Sequence, residues 1–284
     1  MNVGHTYENA ARLIRAVTGE VPSAVGLPGA YRATISQMRP MPAKEAGLSI
    51  SYEDGDWTAL CVQNGIFEHI FKGAGPSDSP TRESWDAKAA EALDLIQEIS
   101  PELRHMVDLL VTDLVILNSG ADGGGSASHI PGVVVMSPGP MWGVLDYAMC
   151  LVHEGMHLNL FLGDAVYGTF TLPSSELEAD QYRALSAVKI GQQRPLDKAF
   201  HAAVVTVPLM YMEAHQGKTT LVDLYSKSLR DACMDLKKQR PHFTEYGRML
   251  LDELCGFGEA IDFAEVTRAI RGAEYAGYRP PVAA

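Results

Sequence analysis

Apolar residues recur every three or four positions through much of this chain, and the breaks in that rhythm divide it into elements. Ala10, Leu13, Ile14 and Val17 predict an amphipathic helix over residues 7–17, followed by Gly- and Pro-bearing segments. Between Gly47 and Cys61 the period shortens to alternation, with runs at 48–52 and 57–61 joined at Asp54-Gly55, which predicts a hairpin. Helical spacing resumes over 84–99, stops at Ser100-Pro101 and continues over 102–117 through Met106, Leu109, Leu110, Leu114 and Leu117, predicting two helices in a hairpin. Residues 119–126 predict a flexible glycine-rich loop. It lacks the Gly-Lys-Ser/Thr of a phosphate loop and leads into a strand at 132–136. Residues 141–161 are apolar almost all round, as in a helix buried inside a protein. Further helices are predicted over 175–190, 195–215 with a kink at Pro208, 219–238, 243–254 and 263–271. The expected fold class is mainly α, an α-rich α+β chain forming one helix-rich domain over 1–284, with a buried helix at its centre and a minor hairpin and strand component.

Composition narrows the function classes. The formal net charge of −12, from 23 basic and 35 acidic side chains, argues against nucleic acid or an anionic membrane as partner. The densest basic cluster, Lys237-Lys238-Gln239-Arg240, reads as the basic end of a helix. No stretch approaches the roughly 20 apolar residues that span a bilayer, and the N-terminus lacks a basic region followed by an apolar run. The expectation is a cytoplasmic protein that does not associate with membranes. Its four cysteines, Cys61, Cys150, Cys233 and Cys255, are widely spaced in apolar surroundings, so reduced, buried thiols are expected.

The predicted buried helix carries the chemistry, in the run His153-Glu154-Gly155-Met156-His157. Residues four apart share a helix face, so both imidazoles can reach one ion at about 2.0–2.2 Å. Glu154 projects about 100° around the helix from His153, placed to act as a base on metal-bound water or to steady a ligand. Two histidines and a glutamate in an apolar helix are costly to bury unless paired or metal-bound. Gly155 costs about 1 kcal/mol relative to alanine in a helix interior, which hints that another element or a ligand comes close there.

Two protein ligands are too few for a tight site, and two downstream segments offer a third. Ser174-Ser175-Glu176-Leu177-Glu178-Ala179-Asp180 resembles the glutamate helix of gluzincin metallopeptidases. That resemblance implies zinc, with Glu176 (or Glu178) as third ligand, Asp180 steadying a ligand histidine and Glu154 as general base for peptide hydrolysis. The same residues also read as an ordinary capped helix start, with serine at the cap and acids in the first turn.

The other segment is Gln193-Arg194-Pro195-Leu196-Asp197-Lys198-Ala199-Phe200-His201, which brings His201 into the first turns of an apolar helix. Taken with Leu151 to Leu160, with Ser128-His129-Ile130-Pro131-Gly132 and the strand after it, and with Phe243-Thr244-Glu245-Tyr246-Gly247-Arg248, it resembles a bacterial family of HExxH proteins from modified-peptide and natural-product pathways. The similarity covers about the last two thirds of the chain and leaves the first 80 residues unassigned. It implies a non-haem iron, 2-oxoglutarate-dependent oxygenase that hydroxylates or otherwise oxidises an amino acid, peptide or related small metabolite. By that resemblance His153, His157 and His201 bind Fe(II), Arg194 grips a carboxylate of 2-oxoglutarate, dioxygen is the co-reactant and Glu154 orients a ligand or the substrate. Tyr182 and Arg183 are further candidates for the pocket. The family's usual Trp-Arg stretch before Arg194 is absent here, and the Glu-rich segment stands in its place.

Overall fold

A computed structural model describes residues 2–271, which form a mainly α chain of the α-rich α+β class. The chain groups into two compact units, one of Val3–Asn159 and one that begins at Leu160. The division meets the expected single domain inside one helix that continues through it. Among the described residues no helix is long and apolar enough to cross a membrane.

The first unit opens with α1 (Val3–Thr18) and α2 (Leu27–Met38). Helix α1 is the predicted helix, extended at its start, and buries Ala10, Leu13 and Ile14 of the predicted stripe, whereas Val17 in its last turn is exposed. Helix α2 was masked in the sequence by Gly26, Pro28 and Gly29, yet Pro28 lies in its first turn, where a missing N–H costs nothing, and Leu27, Tyr31 and Ile35 form a buried stripe four residues apart. The predicted hairpin is half right. Its first arm is β1 (Ser49–Ser51), but the second is helix α3 (Asp56–Gln63), since Trp57, Thr58 and Cys61 are buried together at helical and not alternating spacing. A short helix α4 (Glu68–Phe71) follows, then α5 (Ser79–Ile99) and α6 (Pro101–Leu110), capped by Asp78 and Ser100 through Thr81 and Leu103 N–H.

The predicted helix over 102–117 ends early, because residues 113–116 are β2 (Asp113–Ile116). This strand is buried along its whole length between two parallel neighbours, β1 and β4 (Val133–Ser137), and a strand covered on both faces loses the alternation that would mark it. The predicted loop contains β3 (Gly123–Ser126), antiparallel to β4 at the end of the sheet order β1-β2-β4-β3. Asp113 anchors the sheet. Its carboxylate, 7% exposed, receives Arg39 Nη2 at 2.7 Å, Thr112 Oγ1 at 2.8 Å and Trp57 Nε1 at 3.2 Å, while Arg39 also donates to Thr112 Oγ1 and to the Pro131 carbonyl. Helix α7 (Val144–Tyr167) is the expected buried helix, tied to α1 and α6 through Asn159, whose amide donates to Thr6 Oγ1 at 3.0 Å and lies near Met106.

From Leu160 onward the chain contains α8 (Ser174–Leu177), a single 3₁₀ turn (Asp180–Tyr182), the two-stranded β5 (Arg183–Leu185) and β6 (Gln193–Pro195), and helices α9 (Leu196–His215), α10 (Thr220–Lys238), α11 (Glu245–Glu259) and α12 (Phe263–Arg271). The helix expected over 175–190 is therefore four residues long. Leu177, Ala184 and Ala187 are all buried and fall at helix-like intervals, but they reach the core from the end of the short α8, a strand and a loop. The basic run closes α10 as expected, with Lys237 and Lys238 in its last turn. All four cysteines are free and buried.

In the first unit, Glu53 accepts hydrogen bonds from Ser77 N at 2.6 Å and Arg82 Nη2 at 2.7 Å. Burial alone would raise its pKa, but the Ser77 and Arg82 bonds outweigh it and bring it down from 4.5 to about 2. A depressed carboxylate stabilises the fold fully above its unfolded pKa and loses that contribution as pH falls toward the folded value. Glu53→Gln should therefore lower the urea midpoint at pH 6, and the gap to the parent protein should narrow steadily between about pH 4.5 and pH 2.

Candidate metal centre

Helix geometry places His153, His157, Phe161 and Asp164 along one stripe of α7, spaced four, four and three residues apart. Asn159, two residues beyond His157, projects from the other side. The two imidazoles converge, with Nε2 atoms 3.2 Å apart, ring centroids 4.9 Å apart and planes at 68°. Ligand nitrogens of one ion, each about 2.1 Å from it, stand about 3.0 to 3.4 Å apart between octahedral and tetrahedral angles, so the pair fits a single ion of either preference. The His153 side chain is 26% exposed, which leaves that nitrogen reachable. Burial lowers its pKa to about 4, so the ring is neutral at neutral pH and keeps a lone pair for a metal.

Glu154 is 4% exposed, with Oε1 3.9 Å from His153 Nε2. Strand β3 covers it. Ser126 Oγ donates to Oε2 at 2.7 Å, and burial, partly opposed by that bond, raises the carboxyl pKa to about 7. Cys150, one turn earlier on α7, lies in the same enclosure, where burial first and Glu154 second push its thiol well above the ordinary range. The closeness of strand and helix explains the glycines: a Cβ on Gly124 would stand 2.7 Å from Cys150 Sγ and 3.0 Å from Glu154 Oε1. Sequence reasoning missed Ser126 and Gly124, because three successive glycines carry no alternation and read as a loop. Gly155, the expected point of close approach, has Val107 of α6 and Val111 just after it at 3.6 and 3.8 Å from an added Cβ, which is ordinary contact.

The downstream candidates separate clearly. Glu176 and Glu178 are exposed, Glu178 pairs with Lys198 Nζ at 3.1 Å, and Asp180 is exposed as well. Neither serine caps α8 through its side chain; the cap position is Pro173. His201 instead packs its ring 5.1 Å from that of Phe161. Its pKa falls to about 4 through burial, opposed by Asp164 and reinforced by the positive charge of Arg194, so Arg194 and His201 are neighbours. Arg194 is half-buried in β6, burial lowers its proton affinity with Asp197 opposing, and among the described residues it has no ion pair. No protein-family model matches the chain, and no curated protein matches it either.

Tyr182 packs edge-on against His242, and Arg183 donates to the Glu178 and Gln193 carbonyls. His129 is exposed. The segment from Phe243 to Arg248 braces the far end of α7. Thr244 caps α11 through Gly247 N–H, Tyr246 stacks on Tyr167 at 4.6 Å, and the Tyr246 hydroxyl lies where a side chain on Gly163 would stand. Among the described residues no three His, Cys, Asp or Glu side chains already form a metal cluster, so the assembled part of the site is the histidine pair with Glu154 beside it.

Two substitutions read these contacts. Gly124→Val should destabilise by roughly 1–3 kcal/mol, because neither Cys150 nor the Ser126-held Glu154 has room to retreat. Gly155→Ala should stabilise by about 1 kcal/mol, since the methyl meets the two valines at normal distance and the helix gains propensity. Urea denaturation of each variant measures both.

Proposed function

We propose that this chain is a mononuclear metalloenzyme of the oxygenase kind that its sequence resembles. His153, His157 and His201 hold Fe(II), and Arg194 receives a carboxylate of 2-oxoglutarate. The observation that carries this reading is the pairing of His201 with Arg194. A neutral histidine in the same short segment as a half-buried arginine that has no ion pair among the described residues supports reading the two as a metal ligand and an anion-binding side chain.

Bound iron and 2-oxoglutarate would supply the oxidising power for cleaving a substrate C–H bond with dioxygen. The chain's own residues do the rest. His153 presents a neutral ring, Arg194 orients the cosubstrate by a two-pronged hydrogen bond, and Ser126 fixes Glu154 beside the histidine pair. Strand β3 ends the sheet, so its outer backbone N–H and C=O groups are available to an extended chain alongside Glu154. That favours a peptide among the candidate substrates. The expectations of dioxygen as co-reactant and of a natural-product context belong to this same proposal.

A second reading, metal-dependent hydrolysis with zinc, draws on Glu154 itself, a buried carboxyl beside the histidines and the position of a general base. It loses its proposed third ligand, because Glu176 is exposed at the start of a four-residue helix.

Metal content separates the two. His201→Ala should lose bound Fe(II) and Glu176→Ala should keep it; the reverse would transfer the site to Glu176 and zinc. Protein reconstituted with Fe(II) without air, then given 2-oxoglutarate, peptide and air, should form succinate above the level without protein. Arg194→Gln should raise the 2-oxoglutarate requirement roughly tenfold or more while leaving the iron bound.

A further inference from the structure

We propose that a cavity of the first unit, lined by residues of α2, α6, the end of α5 and the 44–48 segment, binds an amphipathic monocarboxylate. Arg32 takes the carboxylate, and Leu93, Val107, Val111 and Leu151 take the hydrocarbon body. The cavity measures about 360 Å³, enough for a small organic molecule. Leu151 precedes His153 by two residues and so faces away from it, and Val107 and Val111 are the residues that touch Gly155. The cavity therefore lies on the opposite side of α7 from the histidine stripe, and no part of the proposed iron chemistry uses it.

Arg32 is the reason to expect an anion. It is 7% exposed, and among the described residues it makes two long hydrogen bonds, Nη1 to the Lys44 carbonyl and Nη2 to the Asp108 carbonyl, each 3.3 Å. A guanidinium has five N–H groups, so donors remain. The nearby carboxylates are committed elsewhere. Asp113 is held by Arg39, Thr112 and Trp57, and Asp108 accepts Arg104 Nε at 2.8 and 2.9 Å. Arg104 also reaches Asp94 at 3.8 Å, and among the described residues Arg32 is the one of the three arginines with no carboxylate in ion-pair contact. Burial lowers its proton affinity, with Asp113 and Asp108 opposing. Those two carboxylates act on Arg32 without a hydrogen bond to it, and a bound carboxylate would supply the two-pronged bond that its carbonyl partners do not. Arg104 and Asp108 also line the cavity, but they are paired with each other, and Asp108 with Glu45 at the exposed mouth repels a second negative charge, which favours a monocarboxylate over phosphate.

Titration calorimetry of the full chain with sodium octanoate tests this. Octanoate should saturate one site, whereas octanol and inorganic phosphate at the same concentration should not. Arg32→Met should weaken octanoate roughly tenfold or more, the loss expected for a charge-assisted hydrogen bond, while Glu45→Gln leaves it unchanged or tighter. Circular dichroism checks that Arg32→Met is folded. If it is not, Leu93→Trp decides, because it fills the cavity from a half-buried position and leaves Arg32 in place, and it should abolish binding. Absence of octanoate binding, equal affinity for octanol, preference for phosphate, or unchanged octanoate affinity in folded Arg32→Met or in Leu93→Trp would each overturn the proposal.

Discussion

Burying Glu154 is the constraint around which the first unit is arranged. A carboxyl group inside an apolar helix needs a hydrogen-bond donor at close range, and the donor here, Ser126, arrives on a strand that must pass within contact of the helix. Only glycine permits that approach at position 124, while Gly125 is required by the Phe67 ring, 2.8 Å from where its Cβ would stand, and Gly123 by its positive φ. The strand also completes the sheet on its β4 side, and the same crowding encloses Cys150. The glycine at 124 and the environment of Glu154 and Cys150 on α7 thus meet in one contact.

The opposite side of α7 obeys a related rule with charges of the other sign. Arg39 and Asp113 form a buried pair whose remaining groups are mostly met by Thr112, Trp57 and the Pro131 carbonyl, and removing one partner of such a pair typically costs about 3–5 kcal/mol. Arg104 does the same for Asp108 nearer the surface. Arg32, close to both, has carbonyls and a cavity in place of a carboxylate. Arg194, in the second unit, shows the same signature beside His201. In both units a half-buried or buried arginine without an acidic partner adjoins the features that carry the functional argument.

Legibility in the sequence followed the kind of periodicity each element required. Helices α1, α5, α7, α9, α10, α11 and α12 face a core on a stripe, and their apolar spacing located them. Strand β2 was read as the continuation of α6, because a strand buried on both faces and a buried helix are equally apolar. Helix α2 was hidden by glycine and proline at its start, and the segment after α8 imitated a helix through Leu177, Ala184 and Ala187. Trp57 and Cys61 looked like a strand until their common burial showed them to share a helix face.

What the sequence determined by itself was local: that His153 and His157 share a helix face, that Glu154 stands beside them, that the helix is buried, and that His201 and Arg194 fall within one short segment. These depend on the fixed rise and turn of a helix and on residue spacing, which the chain carries without reference to anything distant. Tertiary structure alone decided that Ser126 holds Glu154, that Glu176 stays exposed while His201 is drawn in beside Phe161 and Arg194, and that Arg32 is left without an acid. Each of those depends on which side chains from remote positions reach the same few ångströms, and on how many charges share the space once they arrive. Spacing along a chain does not encode that.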